Sequence, residues 1–237
     1  MDNKIREAQK NVLKVFAAEA KDFALSGGTA LELYYLHHRF SADLDFFSPK
    51  YDLSEIESLV TAFGKNIGRK LKLENEFIAS RKAKVRFYTM PVKNSDRPLK
   101  IDFIEDVFFA KPAIKRFENI PVYSIDNIYT QKIIAVSGIP SGIDEIGKEL
   151  RIGRREEARD AFDIYMLSKK IQPLHIFLKK APQYLDRGVV HWYRTFSRQD
   201  LKLAVLDLDI YDKQFDSREM IVHLEDEIKK FAKGIVE

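Results

Sequence analysis

Two stretches, Ser26-Gly27-Gly28-Thr29-Ala30-Leu31 and Ala42-Asp43-Leu44-Asp45-Phe46-Phe47, decide how this chain folds. The first closes a short apolar run from Asp22 to Ser26. It opens a segment, Thr29 to His38, that carries Leu31, Leu33, Tyr34 and Leu36 with no breaker inside it. That is the pattern of strand, tight turn and helix. The second reads as a strand, Ala42 to Phe47, in which charged and apolar residues alternate. Residues two apart on a strand point to the same side, so Asp43 and Asp45 share one face while Leu44 and Phe46 turn to the other.

Working outward, Ile5, Ala8, Val12, Val15 and Phe16 recur at helical spacing and predict an amphipathic helix over the first 20 or so residues. Leu53 to Leu71 reads as a helix, and Glu74–Ser80 with Ala83–Val92 as a hairpin closed near Arg81-Lys82. Leu99 to Ile104 is a further strand. Lys111-Pro112 and Pro121 interrupt the periodicity and place a soft boundary near residues 110 to 125. Beyond it the pattern is helical: Ile128 to Val136, Arg155 to Lys169, Leu174 to Leu185, Val189 to Phe196 and Ser217 to Lys233, with Ser137 to Gly153 as an extended loop. The expected fold class is α+β: a mixed β-sheet with flanking helices over residues 1–120, then a helical bundle over residues 121–237.

A chain of 237 residues, 45% hydrophobic and 12% aromatic, can bury one large core or two small ones and is not a disordered composition. Cysteine is absent, which excludes disulfides, thiolate metal sites and a cysteine nucleophile. Any metal is then held by oxygen or histidine, and hard ions such as Mg²⁺ are the natural candidates. A net charge of +4 and a pI near 9.0 favour anionic partners such as nucleotides or RNA. No run approaches the ~20 apolar residues of a membrane span, and charges follow the N-terminal methionine, so the expectation is a cytoplasmic protein without membrane contact.

Asp43 and Asp45 stand about 7 Å apart along a strand, repel each other, and need solvent, a partner or a divalent cation. Asp102, in Lys100-Ile101-Asp102-Phe103, is a third acid set between apolar residues and reaches the same ions if its strand lies beside the first. Three carboxylates suit a two-metal phosphoryl-transfer site, in which the third acid can also accept the hydroxyl proton. The turn Ser26–Thr29 offers close backbone approach and the unpaired N–H groups of a first helical turn, a place for a triphosphate. The hydroxyls of Ser26 and Thr29 add donors there; the structural alternative is that Thr29 or Gly28 simply caps the helix. Between the two stretches, Arg39 can reach phosphate and Ser41 can orient a carboxylate or backbone group, while His37 and His38 read as polar residues at a helix end. Each feature alone also has a structural reading: an edge-strand Asp pair, a simple turn.

Together, Gly27-Gly28-Thr29-Ala30-Leu31 and His38-Arg39-Phe40-Ser41-Ala42-Asp43-Leu44-Asp45-Phe46-Phe47 resemble the signature of the AbiEii/AbiGii-type nucleotidyltransferases, toxins of type IV toxin–antitoxin systems on the DNA polymerase beta-like fold. The resemblance continues to Lys132 in Tyr129-Thr130-Gln131-Lys132 and to Arg159-Asp160-Ala161-Phe162-Asp163-Ile164. It implies Mg²⁺ or Mn²⁺ on Asp43, Asp45 and Asp102, with an NTP over the glycine turn. Lys132 becomes a triphosphate contact, and Asp160 or Asp163 a site carboxylate or an orienting group. It implies a helical half that completes the NTP and acceptor cleft, an acceptor hydroxyl on tRNA, other RNA or protein, a cognate antitoxin, and a place in phage defence. Two rival readings use the same residues: a transferase acting on an antibiotic or other small molecule, and a nucleotide-binding regulatory module without turnover. Without the resemblance, the spacing of Arg155 with Arg159 and of Asp160 with Asp163 also describes a salt-bridged helix. The basic stretches Lys111–Arg116, Lys148–Arg155 and Lys179-Lys180 read as solvated faces that can line a path for an RNA end, and the aromatic stretch Tyr184 to Phe196 as core packing.

Overall fold

Ile5, Ala8, Val12, Leu13 and Phe16 are the buried stripe of α1 (Asn3–Glu19), whose first turn is capped by the Asp2 carboxylate. The computed structural model describes residues 2–78, 83–145, 149–155 and 157–236. The chain divides into two units, one formed by Met1–Tyr35 and Phe40–Asn127, the other by Leu36–Arg39 and Ile128–Glu237.

The first unit carries a seven-stranded mixed sheet in the order β3-β4-β5-β2-β1-β7-β6. Its strands are β1 (Ala24–Ser26), β2 (Leu44–Ser48), β3 (Lys72–Phe77), β4 (Val85–Met90), β5 (Leu99–Glu105), β6 (Ile114–Phe117) and β7 (Ile120–Tyr123). Alternation along β2 buries Leu44 and Phe46, and Phe46 stacks on Phe16 of α1 at 4.0 Å and packs beside Phe63 and Phe103. Phe63 belongs to α3 (Leu53–Ile67), so α1 and α3 cover the apolar face and leave Asp45 on the other. α3 ends before Leu71 because Gly68 adopts the left-handed conformation of a helix stop.

The expected turn and helix after β1 are tighter than the sequence suggests. The strand passes directly into α2 (Gly27–Ala30), which widens into a π-helical segment, Leu31–Leu36. β3 and β4 pair antiparallel as expected, while their closure at Arg81-Lys82 lies outside the described residues. The stretch read as an interdomain boundary instead holds the β6–β7 hairpin, which adds β7 parallel to β1. Pro121 is tolerated there because β1 engages β7 at a single register pair, Leu25 with Val122.

The second unit contains α4 (Ile125–Ser137, from Ile128 on), β8 (Ile139–Ile143), β9 (Glu149–Ile152), α5 (Ala158–Lys170), α6 (Leu174–Leu178), α7 (Gln183–Thr195), α8 (Arg198–Val205) and α9 (Ser217–Val236). Ser137 to Gly153 is therefore not a loop: β8 and β9 form an antiparallel ribbon. Arg151 holds it down, donating to the carbonyls of Ser137 (2.7 Å), Gly138 (3.1 Å) and Tyr184 (2.7 Å). Pro182 divides the single helix expected over Leu174 to Leu185, α8 is an unforeseen helix capped by Ser197, and α5 begins at Ala158, which leaves Arg155 before it. Trp192 is buried against Phe196 at 4.8 Å. Among the described residues no helix is long and apolar enough to cross a membrane.

Candidate active site

In the first unit the site is assembled by strand register. Ser26 of β1 pairs with Asp45 of β2, and Asp45 pairs with Asp102 of the parallel β5. Directly opposed residues share a face, with neighbouring strands about 4.8 Å apart. The two carboxylates therefore stand side by side on the face that α1 and α3 leave open, although 57 positions separate them in the sequence. Asp43 sits one residue before β2, outside the ladder.

Gly27 lies against this pair. Its φ is +70°, and a Cβ built on it falls 2.2 Å from Asp45 Oδ2. The position disfavours any side chain twice over, by conformation and by space. Gly28 and Thr29 follow in the first helical turn, where main-chain N–H groups lack intrahelical acceptors. The Thr29 side chain does not point at this turn: its hydroxyl donates to the Asp43 carbonyl and lies 3.3 Å from that of Ser41. Ser26 is fully buried and makes no capping hydrogen bond. Ser41 is gripped at both ends of its backbone, its N–H donating to Glu32 Oε2 (2.8 Å) and its carbonyl accepting from Gln9 Nε2 (2.9 Å).

Whether these residues suit a divalent cation is decided by their donors. Among the described residues no three His, Asp or Glu side chains are grouped closely enough to hold a metal, so Asp43, Asp45 and Asp102 are not a preassembled cage. A carboxylate pair in register is nevertheless what Mg²⁺ accepts, because it completes its shell with water and substrate phosphate. The donor set fits that mode of binding.

The second unit brings together the other residues singled out. Asp163 is fully buried on α5 and receives a two-pronged contact from Arg39, Nε to Oδ1 at 2.7 Å and a terminal nitrogen to Oδ2 at 2.8 Å. His38 Nε2 bonds the same Oδ1 at 2.8 Å, and Lys132 Nζ lies 2.8 Å from Oδ2. Lys132 also donates to Asp160 Oδ1 at 2.7 Å, with Arg155 Nε 3.5 Å from the other Asp160 oxygen. Burial pushes the Asp163 carboxyl up, but Arg39 and Lys132 outweigh it and hold the group well below the usual carboxylate range. Asp160 is held down against burial by Lys132 and Arg155, and Lys132 is raised against burial by the two carboxylates. His38 is pushed down by burial.

Arg39 and His38 are thus buried partners of Asp163. His38 is not a solvated helix-end residue; it stacks over Phe162 at 5.6 Å. The residues that sequence reasoning missed here are Glu32, Gln9 and Arg6. Gln9 signalled itself only as a polar residue within the buried stripe of α1, and Glu32 as an acid inside an apolar segment; Arg6, off that stripe, gave no signal.

A family model described as "Nucleotidyl transferase AbiEii toxin, Type IV TA system" matches residues 12–237. No curated protein matches the chain. Two crystal structures from Helicobacter pylori share its fold. One is a provisionally assigned nucleotidyltransferase with a TM-score of 0.58 and 19% identity, covering 97% of this chain and 95% of its own. The other is JHP933, with a TM-score of 0.59 and 20% identity, covering 99% of this chain and 95% of its own.

Proposed function

This chain belongs to the AbiEii nucleotidyl transferase toxin family of type IV toxin–antitoxin systems and is a nucleotidyltransferase, and we propose that it moves a nucleoside monophosphate from an NTP to a hydroxyl of tRNA or another RNA. The observation that carries this reading is the register of Ser26, Asp45 and Asp102 beside the closely approached Gly27. The main-chain N–H groups after Gly27 receive the triphosphate. Asp45 and Asp102, with Asp43 alongside, would hold Mg²⁺ or Mn²⁺, which lowers the cost of the charge developing on the phosphates.

The acceptor hydroxyl oxygen attacks the α-phosphorus, and the bond from that phosphorus to the β-bridging oxygen breaks. Pyrophosphate leaves with the electron pair, and Asp102 takes the hydroxyl proton and passes it to solvent. In the second unit Asp163, with Asp160, fixes Lys132, and Asp163 holds Arg39. A cognate antitoxin is the protein partner expected for a toxin of this family.

The test is incubation with each labelled NTP, Mg²⁺ and total tRNA beside an Asp45→Ala control. Label transferred to RNA by the wild type and lost in the variant supports the reading. Label that reaches no acceptor and no pyrophosphate, or reaches them equally with the variant, overturns it.

A further inference from the structure

Asp45 is fixed by strands on both sides, Ser26 on β1 and Asp102 on β5, whereas Asp43 has no place in the ladder. Its position is set by side chains instead. Thr29 donates to the Asp43 carbonyl, and two residues earlier Ser41 is held by Glu32 on its N–H and Gln9 on its carbonyl. Glu32 and Gln9 are themselves tied together: Arg6 pairs with Glu32 and donates to Gln9 Oε1 at 2.7 Å, its guanidinium 4.8 Å from the Phe40 ring. Glu32 is 1% exposed and Gln9 0%.

A buried ion pair and a buried amide are a poor way to gain stability, since apolar side chains of similar volume do as well or better. What they supply is direction, because each bond is satisfied in only one geometry. Here that geometry converges on the peptide leading into Asp43.

We propose that Arg6, Glu32 and Gln9 are positioning residues for cation binding, acting through Ser41 and Thr29 to fix the backbone from which Asp43 can join the Asp45 and Asp102 pair on a bound ion. The inference rests on the two-carboxylate reading of the site. It assigns the three side chains to metal affinity rather than to nucleotide affinity.

The experiment titrates Mn²⁺ by electron paramagnetic resonance against the full chain carrying a non-hydrolysable NTP analogue, for the wild type, Asp45→Ala, Gln9→Met and Glu32→Gln. Thermal melts establish that each variant is folded. Gln9→Met keeps the volume and removes both polar contacts; Glu32→Gln breaks the ion pair with Arg6 that orients Glu32 toward Ser41, and is the second route if the first variant unfolds. The expected result is a Mn²⁺ dissociation constant about tenfold higher in either folded variant, with the KM for NTP at saturating Mn²⁺ changed by less than about threefold. Thr29→Val, which removes the hydroxyl that holds the Asp43 carbonyl, follows Gln9→Met.

Unchanged Mn²⁺ affinity in the folded variants, or an altered KM with unaltered metal affinity, overturns the proposal. A wild type that binds Mn²⁺ no better than Asp45→Ala overturns the two-carboxylate reading itself, a distinct outcome.

Discussion

Replacing Gly27 with alanine separates the two constraints at the site. At φ +70° an alanine pays for the left-handed conformation, about 1–2 kcal/mol. Its Cβ also falls 2.2 Å from Asp45 Oδ2, where a Cβ contact is essentially never under 3.0 Å, so the carboxylate must retreat by about 0.8 Å. A displacement of roughly 1 Å in a reacting constellation costs on the order of 10²-fold in rate. Gly68 provides the control: its φ is +67°, and nothing lies within 4 Å of its added Cβ. Both variants should lose a few degrees of melting temperature, but only Gly27→Ala should lose about 10²-fold in pyrophosphate release. Activity of Gly27→Ala within about threefold of the wild type, or an equal loss in Gly68→Ala, refutes the argument that the glycine exists to make room for Asp45.

Asp163→Asn leaves Arg39 and Lys132 facing a neutral amide in a buried setting and should destabilise by about 3–5 kcal/mol in urea unfolding; a loss below about 1 kcal/mol would show that the cluster is not a hub. Gly188→Ala places a Cβ 2.3 Å from the Arg151 guanidinium and 2.6 Å from Ser137 Cβ, and should cost about 1–3 kcal/mol and raise amide exchange in β8 and β9. Glu227 is pushed up by burial but brought to about 2 from an ordinary 4.5 by the hydrogen bonds from His175 and by Lys230. A depressed folded value contributes stability that is complete above about 4.5 and lost as pH falls toward about 2. The urea midpoint should therefore drop over that window less steeply in Glu227→Gln than in the wild type, and equal slopes would contradict the assignment.

The parts of this fold written into local sequence were readable as such. Alternation exposed β2 and its acid Asp45, although Asp43 falls just before the strand; β5 repeated the motif around Asp102, and the stripe of α1 fixed the face that covers Phe46. What escaped was set by partners distant in sequence. β6 and β7 are short, and Pro121 looked like a breaker because β1 could not be seen running beside it. The β8–β9 ribbon is punctuated by glycine and proline, and its tether, Arg151, is indistinguishable in sequence from any other basic residue. Pro182, by contrast, was a local signal that apolar periodicity outweighed. His38 gave no sign that it would be buried, since Asp163 lies 125 residues away. The candidate site divides the same way: glycine turn and acids were visible as motifs, but the pairing of Asp45 with Asp102 and the grip of Glu32 and Gln9 on Ser41 exist only after folding.

The attachment of Arg39 and His38 to Asp163 also governs how the chain can be made. The helical unit takes four residues, Leu36–Arg39, from a stretch synthesised nearly a hundred residues before the rest of it. Until that tetrapeptide arrives, Asp163 would be buried beside Lys132 with two of its three cationic or polar partners missing. A fragment beginning at Ile128 should therefore be a poor folder on its own, and during synthesis the late helices should stay loose until the early segment docks, a contact of high sequence separation and slow closure. Inheritance of the unit as a separable module is correspondingly blocked: a recombination that moves the helices without Leu36–Arg39 moves an unbalanced buried charge with them.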